Sequence, residues 1–343
     1  MNRTRIITTF LCLFVLTFEL QAQVNYTAND QIAPYNGTFR LGVNPGYQGS
    51  DWDDIMLANI AAGNNTLGIN GAGVETFRAS LPEHFLEQWG YEVQIPDFQQ
   101  YEAVGMDEHT MFIGYPSSSH QDPTFHCPDH QSELFANMYL DIWDGGANGT
   151  PVNDDNYYAL YLYQMVTIYK DYVRFWEIWN EPDFDYSGNA YKDFGETGNW
   201  YENVPEPCDM SIRAPIFDYI RMLRISYEVI KSVDPDAYIA IGGIGYPSFL
   251  DLVLRHTDNP LAGQVSGAFP NYGGAYFDVL SYHSYPHIDG SLRYWDNDVG
   301  GFVYSRHSDA AVAGVIEKQT EYYNILNNFG YNDLLYPKKL WII

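Results

Sequence analysis

Apolar residues recur along the chain in short runs, and each run is followed by a loop rich in Gly, Pro, Asn or Asp and then by a stretch with helical spacing. Short apolar runs bounded by such loops are typical of buried strands, whereas apolar residues three and four positions apart are typical of helices. The predicted strands are residues 39–43, 76–81, 110–115, 173–179, 238–242, 277–283 and 339–343. Helices are predicted for residues 51–62, 154–170, 212–233 and 310–329. Strands that alternate with helices predict a parallel sheet with right-handed crossovers.

The number of repeats distinguishes between two kinds of parallel sheet. A doubly wound sheet usually has about five or six strands, so seven β/α units favour a (β/α)8 TIM barrel. The seventh run, residues 339–343, stands at the end of the sequence. Because a bare apolar edge strand invites aggregation, we expect the chain to be a fragment of a longer protein that supplies an eighth strand and helix. We therefore assign residues 23–343 to a single barrel that is incomplete at its C-terminus.

The first residues have the pattern of a secretory signal peptide. Arg3 and Arg5 precede an apolar run over residues 6–20, and Ala22 provides a small residue for cleavage. A transmembrane anchor needs about 20 apolar residues, and Glu19 interrupts this run. We therefore predict that residues 1–22 are removed and that the protein is secreted or periplasmic.

Composition and charge narrow the range of partners. The chain of 343 residues has 17 Lys and Arg against 44 Asp and Glu, which gives a formal net charge of -27 at pH 7. Such a surface repels phosphate backbones and anionic lipids, so neither nucleic acid nor membrane is an expected partner. Aromatic residues make up 17% of the chain. They could stack on sugar rings or fill the core, and composition does not separate these two uses.

Two cysteines follow the predicted signal peptide. Cys127 and Cys208 each lie beside a proline, and in an oxidising compartment they could form a disulfide if their loops meet. The sequence leaves this pairing open. His120, His126 and His130 near Cys127 also raise the alternative of a zinc site. Their spacing matches no standard zinc motif, so we expect no metal and no cofactor. This loop is instead expected to shape a cleft, with His120 in contact with the ligand.

The most informative segment ends the fourth predicted strand. It reads Trp179-Asn180-Glu181-Pro182, and in a barrel the C-terminal ends of the strands form the active site. A carboxyl group beside Trp rings is desolvated, which would raise the pKa of Glu181 and suit it to donate a proton. Asn180 offers both a donor and an acceptor to a sugar hydroxyl. The alternative is an ordinary strand-to-loop turn with a solvated glutamate.

This segment resembles the strand-four signature of the clan A glycoside hydrolases, which are retaining (β/α)8 enzymes. The family within the clan is left open between a family 39-like and a family 5-like enzyme. The resemblance implies that Glu181 is the general acid/base and that Asn180 binds the sugar 2-hydroxyl. The segment Phe77-Arg78-Ala79-Ser80 resembles strand two of the clan. That similarity implies that Arg78 braces the catalytic nucleophile.

Two further segments extend the resemblance towards the end of the chain. Residues 278–285 resemble strand six, where the clan has a His-x-Tyr motif. The resemblance implies that His283 lies near the sugar and that Tyr285 forms a hydrogen bond with the nucleophile. Residues 340–343 resemble the run that precedes the nucleophilic glutamate of the clan. The nucleophile is therefore expected beyond residue 343.

Other acidic and aromatic residues are given lesser roles. Glu177 lies three positions before Asn180 and is predicted to be structural, whereas Glu317 and Glu321 are predicted to form a solvated helix face. Trp176 and Trp341 are assigned to barrel packing. A sugar platform is expected from at least one of the aromatic residues that follow the strands, namely Tyr47, Tyr115, Phe184, Tyr186, Trp200, Tyr201, Tyr246 and Trp295.

These features predict a secreted retaining glycoside hydrolase that cleaves β-linked polysaccharides or oligosaccharides by double displacement. Glu181 would be the acid/base, and the 343-residue chain would itself be inactive without its second carboxylate. Two alternatives stay open at this stage: a carbohydrate-binding barrel without catalysis, and a metal-dependent hydrolase. The particular glycan, and whether cleavage is internal or terminal, are left open.

Overall fold

Seven parallel strands form the central sheet of the protein. The computed structural model describes residues 32–44, 54–285 and 292–343. The strands of this sheet are β1 (Gly42–Val43), β2 (Thr76–Ser80), β3 (His109–Ile113), β4 (Val173–Ile178), β5 (Tyr238–Ile241), β6 (Val279–Ser281) and β9 (Leu340–Ile342). They lie side by side in the order β1-β2-β3-β4-β5-β6-β9. All seven strands predicted from the sequence are thereby confirmed.

Helices connect every pair of neighbouring strands in this sheet. Within the described residues they are α1 (Asp54–Ala62), α2 (Glu83–Trp89), α3 (Ile95–Ala103), α4 (Tyr157–Tyr169), α5 (Ile216–Val233), α6 (Pro247–Arg255) and α7 (His307–Asn328). Short 3-10 helices lie at Pro207–Asp209 and Gly273–Tyr276. None of the described helices combines the length and the apolar character that a membrane span requires.

The order of the strands identifies the architecture. In a doubly wound sheet the order in which strands are added reverses at a switch point, whereas here each new strand is added beside the one before it. Sequential parallel strands with helical crossovers are the arrangement of a (β/α)8 barrel, of which these residues form seven units. The predicted fold class is confirmed. The predicted signal peptide, residues 1–22, lies outside the described residues.

A two-stranded antiparallel hairpin interrupts the last repeat. It is formed by β7 (Arg293–Asp296) and β8 (Gly301–Tyr304). Periodicity did not single out this hairpin, nor the short helices α2, α3 and α6. Each of these elements is only four to nine residues long, too short to establish a clear period.

Much of the aromatic content fills the core. Trp176 on β4 is fully buried, as are Tyr158 and Tyr161 on α4 and Tyr219 on α5. Buried tyrosines need partners for their hydroxyl groups. Tyr161 donates to the Leu81 carbonyl at 2.5 Å and Tyr219 donates to the Ile178 carbonyl at 2.9 Å. Core packing, one of the two uses that composition left open, therefore accounts for these residues, and the assignment of Trp176 to packing is confirmed.

A disulfide joins two long loops on the carboxyl side of the sheet. Cys127, in the loop after β3, is bonded to Cys208, in the loop after β4, with their Cα atoms 5.3 Å apart. The structure thus settles the pairing that the sequence left open. A cysteine in a disulfide has no thiolate to offer a metal, so Cys127 does not take part in the zinc site considered as an alternative.

Removal of the disulfide should destabilise the protein. The bridge spans 81 residues, and loss of a native disulfide from a small domain typically costs about 2–5 kcal/mol because the unfolded chain gains freedom. We expect the Cys127→Ser/Cys208→Ser double variant to unfold at lower urea concentration than the wild type. Reductant should lower the wild-type midpoint and leave that of the variant unchanged. Equal midpoints for the oxidised wild type and the variant would contradict this prediction.

Candidate active site

A sharp turn after β4 places Glu181 at the carboxyl edge of the sheet. Trp179 and Glu181 both have left-handed backbone conformations, with φ of 75° and 50°. Such conformations cost free energy in non-glycine residues and persist where surrounding contacts hold them. Here Trp179 is buried and stacks on Tyr115 at a ring distance of 4.2 Å. Ser211 donates to the Glu181 carbonyl at 2.7 Å, which adds a second contact that holds the turn.

The carboxylate of Glu181 accepts two hydrogen bonds from the segment after β6. Its Oε1 lies 2.6 Å from Nδ1 of His283 and 2.8 Å from the hydroxyl of Tyr285. The hydrogen bond from His283 is the largest influence and lowers the pKa of Glu181, assisted by the bond from Tyr285. Burial raises the pKa but does not outweigh these donors.

The prediction that Trp rings raise the pKa of Glu181 is therefore wrong. The ring of Trp179 packs on Tyr115, and the surroundings of the carboxylate include the donors from His283 and Tyr285. Hydrogen bonds to the ionised form favour it. Without a ligand, Glu181 is thus held as a carboxylate.

Beneath Glu181, a buried carboxylate joins four strands. Glu177 on β4 is fully buried, and its Oε2 accepts from Nε of Arg78 on β2 at 2.6 Å. Its Oε1 accepts from the backbone N–H of Gly243, after β5, at 2.7 Å and from the hydroxyl of Ser281 on β6 at 2.9 Å. Arg78 also donates from Nη2 to Oδ1 of Asn180 at 2.9 Å. Glu177 thereby links the side chain of Asn180 to the sheet.

The structure brings most of the predicted site residues into one cluster. Arg78 is hydrogen-bonded to Asn180, and the next residue, Glu181, is hydrogen-bonded to His283 and Tyr285. The Tyr285 hydroxyl donates to Glu181, and its hydrogen bond with a nucleophile stays a prediction.

His120 belongs to a second cluster. Its Nδ1 lies 2.8 Å from Oε1 of the buried Glu83, and its ring stacks on Tyr157 at 4.2 Å. Glu83, Glu87 and His120 are close enough to hold a metal ion together. This set differs from the His and Cys residues that the sequence singled out. The contact between His120 and a sugar stays a prediction.

A cavity of about 610 Å³ opens beside Glu181, between the loops after β4 and β5 and helix α7. It is lined by Glu181, Asp183, Phe184, Ala190, Tyr191, Lys192, Asp193, Tyr201, Gly245, Tyr246, Pro247, Tyr285, Gly314, Glu317, Lys318 and Glu321. This volume lies within the usual range of ligand pockets, about 300–1,000 Å³. The cavity, which combines aromatic rings with several carboxylates, is the candidate binding site.

Two sequence-based assignments concern residues near the cavity. Glu317 and Glu321 are exposed, as predicted for a solvated helix face, and they also line the cavity. Trp200, considered for a sugar platform, is buried in the core instead. Phe184, Tyr201 and Tyr246, which were considered for the same role, do line the cavity, whereas Tyr47 lies outside the described residues.

Asp183 is a site residue that the sequence reasoning missed. It lines the cavity and is fully buried, and its Oδ2 accepts from the backbone N–H groups of Gly245 and Tyr246, each at 2.8 Å. Its Oδ1 has no hydrogen-bond partner within the described residues. Burial raises the pKa of Asp183 to about 7, although the two backbone donors oppose that rise. Its position two residues after Glu181 was the only signal in the sequence.

Comparison with solved structures finds several carbohydrate-active enzymes. A glycoside hydrolase family 30 endoxylanase from Clostridium papyrosolvens is 14% identical, with a TM-score of 0.41, over 78% of this chain and 53% of its own. A family 30 xylanase from Talaromyces cellulolyticus is 16% identical, with a TM-score of 0.40, over 76% and 54%. A β-1,4-D-mannanase from Cryptopygus antarcticus is 14% identical, with a TM-score of 0.38, over 92% and 87%.

The chain thus spans about half the length of the two xylanases. No protein-family model and no curated protein sequence matches it. At these identities no residue role can be transferred from the similar structures, so the site has to be interpreted from its own geometry.

Loss of the Arg78 side chain should destabilise the protein more than loss of a surface arginine. In Arg78→Met the buried carboxylate of Glu177 loses its cationic partner, and breaking a buried pair in this way costs about 3–5 kcal/mol. Arg306, exposed and paired with Asp309, is the matched control, because exposed ion pairs contribute little to stability. Urea unfolding of both variants measures this difference. An equal decrease in the free energy of unfolding for Arg78→Met and Arg306→Met would refute the prediction.

The buried Asp183 should make stability depend on pH. Its pKa rises from 3.8 in the unfolded chain to about 7 in the folded protein, so the folded state binds the proton more tightly. The stabilisation from this group is complete below about pH 4 and is lost as the pH rises to about 7, by at most about 4 kcal/mol.

Asp183→Asn removes this titration and serves as the comparison. Measured by urea unfolding from pH 4 to pH 8, the wild type should lose stability relative to Asp183→Asn across this window. Parallel stability curves for the two proteins would show that Asp183 does not titrate as described.

Proposed function

We propose that the protein is a secreted retaining glycoside hydrolase that acts on β-linked oligosaccharides or polysaccharides. The observation that carries the proposal is Glu181 itself, a carboxylate held by His283 and Tyr285 at the carboxyl edge of a (β/α)8 sheet and opening into a cavity. Asn180, braced by Arg78, lies next to it. The disulfide supports export, since disulfides persist in oxidising compartments.

The chemistry requires two carboxyl groups with different roles. In retaining enzymes they are roughly 5–5.5 Å apart, one attacking the anomeric carbon and the other protonating the leaving oxygen. In our proposal Glu181 protonates the leaving oxygen and later activates water. A second carboxylate at that distance would oppose ionisation of Glu181 and raise its pKa. It would therefore favour the protonated form of Glu181 that acid catalysis needs and that the hydrogen bonds from His283 and Tyr285 disfavour.

The direction of β9 supports a position for this second carboxylate. β9 pairs in parallel with β6, and the Tyr282 N–H donates to the Ile342 carbonyl at 3.1 Å. Residues that follow β9 would therefore emerge beside His283 and Tyr285. In our proposal the nucleophile is a glutamate that follows residue 343.

Glu181→Gln tests the assignment of the acid/base. In protein that extends past residue 343, this variant should hydrolyse an unactivated β-glycoside about 10²–10⁴-fold more slowly than the wild type, because general acid catalysis is lost. An aryl glycoside with a good leaving group should be affected less, since its departure needs no proton.

Glu133→Gln, at an exposed glutamate outside the cavity, is the control and should leave both rates unchanged. Full hydrolysis of the unactivated glycoside by Glu181→Gln would remove Glu181 from this role. Glycan binding by a wild type that cleaves neither substrate would favour the second candidate, a carbohydrate-binding barrel without catalysis.

A further inference from the structure

Three carboxylates crowd one side of the cavity beside Glu181. Glu317 and Glu321 lie one turn apart on α7, and Asp193 comes from the loop after β4. We call these three residues the acidic wall. Burial raises the pKa of Glu321, and the negative charges of Glu317 and Asp193 raise it further. The acidic wall is therefore a place where negative charges repel one another in the unliganded protein.

The lysines in the cavity do not balance this charge. Lys192 lines the cavity, but its ammonium donates to Oδ1 of Asn189 at 2.5 Å and to the Thr197 carbonyl at 2.8 Å, both within its own loop. Lys318 is the other cation of the lining. Its charge lowers the pKa of Glu321, but by less than burial and the neighbouring carboxylates raise it. With Glu181 ionised, the acidic wall leaves the cavity net negative.

Asp183 provides a separate indication that a ligand completes this cavity. Its side chain is fully buried and lines the cavity, and Oδ1 lacks a hydrogen-bond partner within the described part of the chain. A buried polar atom without a partner is costly. A ligand hydroxyl would satisfy it in either protonation state of Asp183, because a hydroxyl both donates and accepts hydrogen bonds.

We propose that this cavity selects sugars by charge, binding amino sugars with a free ammonium group in preference to neutral sugars and rejecting uronic acids. The inference rests on the proposed function, because it names the substrate class of the same site. The ammonium is attracted by the acidic wall, and the aromatic rings of Tyr191 and Tyr246 accommodate the sugar ring. A uronate would place a further negative charge against Glu317 and Glu321.

Three monosaccharides that differ in charge test the selection without any bond to cleave. D-glucosamine, D-glucose and D-glucuronate are titrated into the protein at low salt and about pH 6, where the amine is protonated and ordinary carboxyl groups are ionised. We expect glucosamine to bind at least about fivefold more tightly than glucose, and glucuronate to bind more weakly than glucose. The preference should shrink as salt is added, because salt screens charges.

A double variant separates the acidic wall from the rest of the surface. In Glu317→Gln/Glu321→Gln the preference for glucosamine over glucose should fall towards onefold. The control, Glu102→Gln/Glu133→Gln, removes the same charge from exposed positions outside the cavity and should keep the preference.

Two results would overturn the inference. One is a preference for glucosamine over glucose that survives in Glu317→Gln/Glu321→Gln. The other is that the protein binds all three sugars with equal affinity, or binds none of them. Hydrolysis is not measured in this experiment. A charge-dependent order of binding without catalysis by Glu181 would therefore uphold the inference and contradict only the proposed reaction.

Discussion

The buried carboxylate of Glu177 is the contact on which the arrangement of the site depends. One side chain from β4 accepts hydrogen bonds from β2, from Gly243 after β5 and from β6. A buried carboxylate is costly unless it is paired and its lone pairs are used, and here Arg78, Gly243 and Ser281 supply these partners. Because Arg78 also donates to Asn180, its pairing with Glu177 inside the sheet determines where the Asn180 side chain lies at the carboxyl edge.

Above this base, Glu181 is oriented by contacts that come from far along the chain. His283 and Tyr285 lie more than one hundred residues away in sequence, and Ser211 lies thirty residues away. A strained turn held by several such contacts is preorganised, so little rearrangement is needed when charge develops in a reaction. The disulfide between Cys127 and Cys208 restrains the loop that carries Ser211.

The sequence predicted the strands well because each is a compact apolar run. The cluster of Arg78, Asn180, Glu181, His283 and Tyr285 was implied by the resemblance to the clan, and these residues come together because they lie in or directly after strands of one parallel sheet. The sequence did not predict electrostatics. The direction of the pKa shift of Glu181 depends on donors from the segment after β6, and no local sequence pattern indicates which residue these donors contact. Glu317 and Glu321 are exposed on one helix face, as their spacing predicts, but helical spacing does not show that this face borders the cavity.

The central claim is that Glu181 faces the bond that is cleaved. A crystal structure of the protein with a bound β-linked oligosaccharide tests it most directly. Our account predicts a glycosidic oxygen within hydrogen-bond distance of the Glu181 carboxyl group, about 2.6–3.2 Å, with a sugar hydroxyl on Asn180 and the chain extending into the cavity towards Tyr246. An oligosaccharide bound elsewhere, or bound in the cavity with no glycosidic oxygen near Glu181, would contradict it.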